Sequence, residues 1–248
     1  MATTMTAGAV RRRFRPSFFF WMTVAMACFV FSGFGLTYWV PMATGTLTTL
    51  PPIVHVHGLF YSAWMVLLVT QAALIGARNV ALHRTLGTFG IAIATCVLFT
   101  GLLITLMFGH ATPTTALPFY YDLMYLGFAA VLAFGTLFTL AIRRRRVPEQ
   151  HRLLMLFATI PLLPPGINRL YQVTFSLNYL PVLATYLTMD ALVAAILIHD
   201  WRTNRRLGSA SLIGTAVVLA LQLLHAPVVN SAAFADVCRV LTNLVYYR

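Results

Sequence analysis

Residues 123–152 read LMYLGFAAVLAFGTLFTLAIRRRRVPEQHR: twenty positions without a charge, then the arginine block Arg143 to Arg146. A helix rising 1.5 Å per residue needs about 20 apolar residues to cross the hydrocarbon core of a bilayer. The uncharged run has that length, and a block of basic residues is what a spanning helix carries where it emerges on the cytoplasmic side. This stretch decides the fold class: an all-α, polytopic membrane helix bundle.

The rest of the chain agrees. Of its 248 residues 60 % are hydrophobic and 9 % charged, whereas soluble domains carry about a quarter charged residues. All 17 basic residues are arginine. Without lysine there is no Schiff-base chemistry and no phosphate-binding P-loop. Three cysteines, Cys28, Cys96 and Cys238, are too few and too scattered for a disulfide framework or a thiolate zinc site.

Apolar runs predict seven spans in a single domain covering 1–248: about 17–40, 53–77, 84–109, 117–142, 151–171, 180–199 and 209–228. Pro161, Pro164 and Pro165 interrupt the fifth, which is therefore expected to be interior and kinked. Fourteen arginines fall on one side of this layout, and Arg169, Arg239 and Arg248 on the other. The positive-inside rule makes the first side cytoplasmic, with the amino terminus inside and the carboxyl terminus outside. The expected location is a bacterial inner membrane, with lipid as the basic partner and no nucleic-acid surface, since no base-reading motif accompanies the charge. The first span exceeds a signal h-region and is read as a retained helix. Around 231–246, Phe234, Val237, Leu241 and Leu244 recur at helical spacing opposite Asp236, Arg239 and Asn243, predicting a short outer interfacial helix.

Two helix starts look alike. Ala81-Leu82-His83-Arg84-Thr85-Leu86-Gly87 and Glu149-Gln150-His151-Arg152-Leu153-Leu154-Met155 each follow a basic turn, which suggests internal parallel hairpin repeats. With His55-Val56-His57-Gly58, Trp64, Gln71 and Arg169, these stretches resemble an uncharacterised family of bacterial multi-pass proteins carrying H-x-H-G, H-R-x-L-G and H-R-L-M-L motifs. The resemblance covers spans two to five and implies a membrane bundle. It brings no activity with it.

Ionisable residues within spans are expensive and mark function. Counting along each helix puts His57, Asp122, Arg169 and His225 roughly 9–13 Å outside the midplane on four different spans. His55 and His110 come out slightly further out, and Asp190 near the midplane, with Asn168, Gln172 and Gln222 as uncharged partners. His57, Tyr61, Trp64, Leu68 and Gln71 form one stripe of span two. On a regular helix the rings of His55 and His57 diverge by about 200°, so both cannot ligate one ion. An unpaired guanidinium in hydrocarbon costs about 2.5–3.5 kcal/mol even on lenient scales. Arg169 is accordingly expected to find an anion, with Asp122 the first candidate and Asp190 the second. His83, His151 and His199 are read as structural groups at the cytoplasmic surface, His199 with Asp200 as a hydrogen-bonded pair.

Three function classes fit. The first is a polar His/Asp/Arg site in the outer half that binds a small ligand, a lipid headgroup or a divalent metal, with catalysis as an added option. The second is electron transfer through haem b held by His57 with His225, or by His83 with His151. The third is a transporter, or an accessory subunit of a homo-oligomeric or larger membrane complex, with the broken fifth span lining the path.

Overall fold

The computed structural model describes residues 15–111 and 120–244 and, within them, the side chains of 15–108 and 120–241. Among the described residues everything regular is helical: α1 Phe18–Ala43, α2 Pro52–Gly76, α3 Val80–Ala111, α4 Tyr120–Arg143, α5 Pro148–Leu162, α6 Pro164–Phe175, α7 Val182–Asn204, α8 Ser209–Val229 and α9 Ala232–Leu244. Six of them, α1 to α4, α7 and α8, are long and apolar enough to cross a membrane. Helices α5 and α6 meet at a 49° bend and make a seventh crossing if the bent pair is one span.

Local chemistry explains where the ends depart from expectation. Helix α3 starts at Val80, four residues before the predicted Arg84, because Asn79 Oδ1 accepts from the Leu82 backbone N–H at 3.2 Å and caps the helix. Helix α1 runs past Pro41. A π-helical turn over Gly35–Trp39 resets the ladder, so Pro41 falls in the first turn of the restarted α-segment, where a missing N–H costs nothing. Helix α7 extends five residues beyond the predicted His199 and stops where Arg205 turns left-handed at φ 56°. Where the prolines break the fifth span, Tyr61 of α2 donates its hydroxyl to the Leu162 carbonyl, so the interruption leaves that group satisfied inside the bundle.

Helix α5 is the axial element of one half, packing on α4, α8 and α1. Leu153, Leu154, Leu156, Phe157, Ala158 and Ile160 are all buried. Glycines set two of the tightest crossings. A Cβ on Gly214 would sit 2.1 Å from the Phe157 ring, and one on Gly33 would sit 2.0 Å from the Gly166 carbonyl oxygen. Backbone contact between α1 and α6 is therefore possible only because both crossing residues lack side chains. Beyond the bend, α6 leaves the axis and packs between α1 and α7.

The arginine-rich turns gather at one end of the bundle. The Arg15 backbone N–H reaches the Gly76 carbonyl at 3.3 Å, and Arg152 lies 4.3 Å over the Phe19 ring. His199 stacks on Phe18 at 4.0 Å. Asn204 donates to Glu149 Oε1 at 2.8 Å and to Asp200 Oδ1 at 2.7 Å. Asp200, 2 % exposed, also accepts from Gly208 N–H at 2.9 Å and Ser211 Oγ–H at 2.6 Å. The expected His199–Asp200 pair is thus not what forms: the imidazole goes to an aromatic face and the carboxylate clasps the α7–α8 turn. At the opposite end α9 folds back over α4, burying Cys238 against Tyr120 and Met124. That burial pushes the Cys238 thiol up to about 11.

Candidate functional site

Asp122 stands in the first turn of α4 and His225 near the end of α8. His225 Nε2 lies 3.0 Å from Asp122 Oδ1. The imidazole is 7 % exposed, and Nε2 has no aligned hydrogen-bond partner: the carboxylate sits close but off the N–H direction. The ring is held by two phenols. Tyr125 stacks on it at 4.8 Å and 22°, and Tyr186 of α7 meets it edge-on at 5.6 Å and 73°. Tyr125 is itself fixed, donating its hydroxyl to the Leu221 carbonyl at 2.6 Å and so tying α4 to α8. Among the described residues the Tyr186 hydroxyl is buried with no hydrogen-bond partner. One turn along α7, Asp190 accepts from Gln222 Nε2 at 2.8 Å. Phe234 of α9 packs edge-on against Tyr125, at 6.3 Å between ring centroids.

The i, i+3 and i, i+4 spacings Asp122/Tyr125, Gln222/His225 and Tyr186/Asp190 put each pair on one helical face. Three faces from three helices then make one polar centre. Among the described residues the Tyr186 hydroxyl has no acceptor, and His225 Nε2 has only the off-axis Asp122 carboxylate. Buried polar groups are otherwise almost always paired.

His57 and Arg169 belong to a second group. His57 Nδ1 is 3.0 Å from Thr100 Oγ1, whose own proton goes to the Cys96 carbonyl at 2.6 Å. The threonine oxygen therefore accepts, Nδ1 carries the hydrogen, and a neutral His57 presents an unprotonated Nε2. His57 also stacks on Tyr61 at 5.9 Å, Tyr61 contacts Phe34 at 6.0 Å, and the Arg169 guanidinium lies 4.9 Å over the Phe34 ring.

Two expectations are corrected here. Arg169 does not pair with Asp122 or Asp190: among the described residues no carboxylate lies within 4.0 Å of it. Nor do His57 and Asp122 share a level. The His57 ring and the Val131 side chain both border Gly101, and Val131 is nine residues below Asp122 on α4, about 13 Å along the axis. The depth count treated each span as centred and upright, whereas Asp122 stands in the first described turn of α4.

The remaining candidates are placed as follows. His55 Nδ1 takes Tyr38 of α1 at 2.5 Å, pointing away from His57 as the regular helix from Pro52 requires. Asn168 accepts from Thr185 and is buried between α6 and α7. The His110 side chain lies outside the described residues. His151 donates Nδ1–H to the Ala141 carbonyl at 2.9 Å, a structural tie between α5 and α4. Among the described residues His83 Nδ1 and both polar atoms of the Gln71 side-chain amide are buried without hydrogen-bond partners. Among the described residues no three His, Cys, Asp or Glu side chains converge on a common point, so Asp122 with His225 supplies two donors of the three or four that a metal centre uses. Sequence reasoning missed Tyr125 as the ring that seats His225, although its i+3 relation to Asp122 carried the signal. It had no signal for Phe34 or Thr100, which reach the site from other helices.

No family profile, no curated protein and no solved structure matches this chain.

Proposed function

We propose that the chain is a seven-span protein of a bacterial inner membrane, with its arginine end and amino terminus cytoplasmic. On this reading the Asp122–His225 centre lies in the outer half and binds a small polar ligand or a lipid headgroup. The observation that carries the reading is the pair of unmet groups in one buried place, His225 Nε2 and the Tyr186 hydroxyl, beside a carboxylate. A ligand with one hydrogen-bond acceptor and one donor fits them: Tyr186 donates, and His225, polarised by Asp122, exchanges or shares a proton. The same arrangement is a competent general acid–base pair if the bound molecule reacts. The bent α5–α6 pair is counted as one crossing, which supports an odd number of spans and an outer carboxyl terminus. The repeated His-Arg helix starts support membership of the multi-pass family that they resemble, and an origin by hairpin duplication.

The ligand reading is tested on protein purified in mild detergent, by mass spectrometry of a solvent extract together with elemental analysis and a visible spectrum. A molecule retained by the native chain and lost from both His225→Ala and Tyr186→Phe is the expected result. An identical complement in all three overturns the site, and stoichiometric metal or a haem spectrum replaces the small-ligand reading. The topology is tested by cysteines in intact cells: one at Arg145 resists an impermeant thiol reagent and one at Thr112 reacts. The reverse pattern inverts the orientation.

A further inference from the structure

In the first turns of α6, Pro164, Gly166, Ile167 and Asn168 are buried, while Pro165 and Arg169, one turn apart, are exposed. The Arg169 guanidinium lies 4.9 Å over the Phe34 ring, and Tyr61 continues that aromatic run towards His57. Beside it the Gly33–Gly166 crossing holds α1 and α6 in backbone contact.

The guanidinium carries five N–H donors in one plane, and among the described residues no carboxylate lies within 4.0 Å of them. A fixed, planar cation with its donor edge open matches the two oxygens of a phosphate or carboxylate, which Arg binds in bidentate fashion and Lys does not.

We infer that Arg169, seated on Phe34 beside the α1–α6 crossing, is the anchor of an oxyanion site, taking the phosphate of an anionic lipid headgroup or a free phosphate. The inference rests on reading the bundle as membrane-spanning, but not on the Asp122–His225 centre. That centre stands or falls on the retained-molecule experiment above, which this one leaves untouched.

The test is thermal unfolding of the full chain in neutral detergent with three probes: inorganic phosphate, phosphatidylglycerol and phosphatidylcholine. Phosphate or phosphatidylglycerol is expected to raise the melting temperature by several degrees, and phosphatidylcholine to do so less. Arg169→Gln should abolish the rise. A rise with phosphatidylglycerol alone identifies the lipid source, and a rise with inorganic phosphate identifies the free anion. Absence of any rise in the native chain overturns the proposal, as does an equal rise in Arg169→Gln. Should that variant not fold, Arg169→Lys keeps the charge and removes the fork. Its half-saturating probe concentration should increase at least tenfold, and unchanged binding by the lysine variant overturns the bidentate site.

Discussion

Two aspartates at opposite ends of the bundle show what separates architecture from function here. Asp200 is almost wholly buried and accepts from Asn204, the Gly208 N–H and Ser211, with Asn204 carrying the network on to Glu149. Every partner is local to the α7–α8 turn or the start of α5, and nothing is left over. The Asp122 side chain, 28 % exposed, faces one imidazole off its N–H axis, beside a phenol with no partner. A saturated carboxylate closes a structure. An unsaturated one, set among buried groups with unmet bonds, is poised to receive something else.

The comparison can be broken by mutation. Asp200→Ala leaves the buried Ser211 hydroxyl and the half-buried Gly208 N–H without their acceptor and is expected to cost about 2–4 kcal/mol at roughly 1–3 kcal/mol per unmet group, with incomplete additivity. Reversible unfolding in detergent measures it, and a cost below about 1 kcal/mol would remove the contrast at its architectural pole. Gly33→Val, which drives a side chain into the Gly166 carbonyl, should cost about 1–3 kcal/mol by overpacking. It should also shift Arg169 off Phe34, readable as a weaker response to phosphate or phosphatidylglycerol. Thr100→Val removes the acceptor of His57 Nδ1–H and should cost about 1 kcal/mol. The nitrogen chemical shifts of His57 check it, because the single tautomer should give way to a mixture. Asp122→Asn should have the smallest effect on stability, below about 1 kcal/mol, because the partner is off-axis and the site partly open. It should still change the molecule retained by the purified protein. A stability loss of about 3–5 kcal/mol, the figure for stranding a buried charge, would turn Asp122 into a second Asp200.

Much of the fold was legible along the chain. Spanning helices announce themselves by length of apolar run, and six of the predicted spans fall on helices long and apolar enough to cross a membrane, while the fifth falls on the bent α5–α6 pair. The end errors have local causes that a closer reading could recover, such as the Asn79 cap. The kink in the fifth span was legible too, because a proline without an N–H breaks the ladder wherever it falls. The site was legible only in part. His225 and Asp122 were picked out as costly residues and do meet, while the Arg169–Asp122 pair does not form. Depth along a helix says nothing of azimuth, tilt or where a neighbouring helix begins.

What the sequence by itself determined is the solvent and the scaffold: apolar runs of bilayer length, arginines crowded at alternate turns, and one proline-broken helix pair. These follow from composition and one-dimensional spacing, because hydrocarbon demands internally satisfied backbone whatever the neighbours are. What only the tertiary structure decided is partnership. Asp122 faces His225 and not Arg169, because α4 and α8 pack together while α6 bends away towards α1. Arg169 lies on Phe34, because two glycines let α1 and α6 touch. Which charged side chain meets which depends on helix rotation and crossing, and these are set by the shapes of residues on other helices.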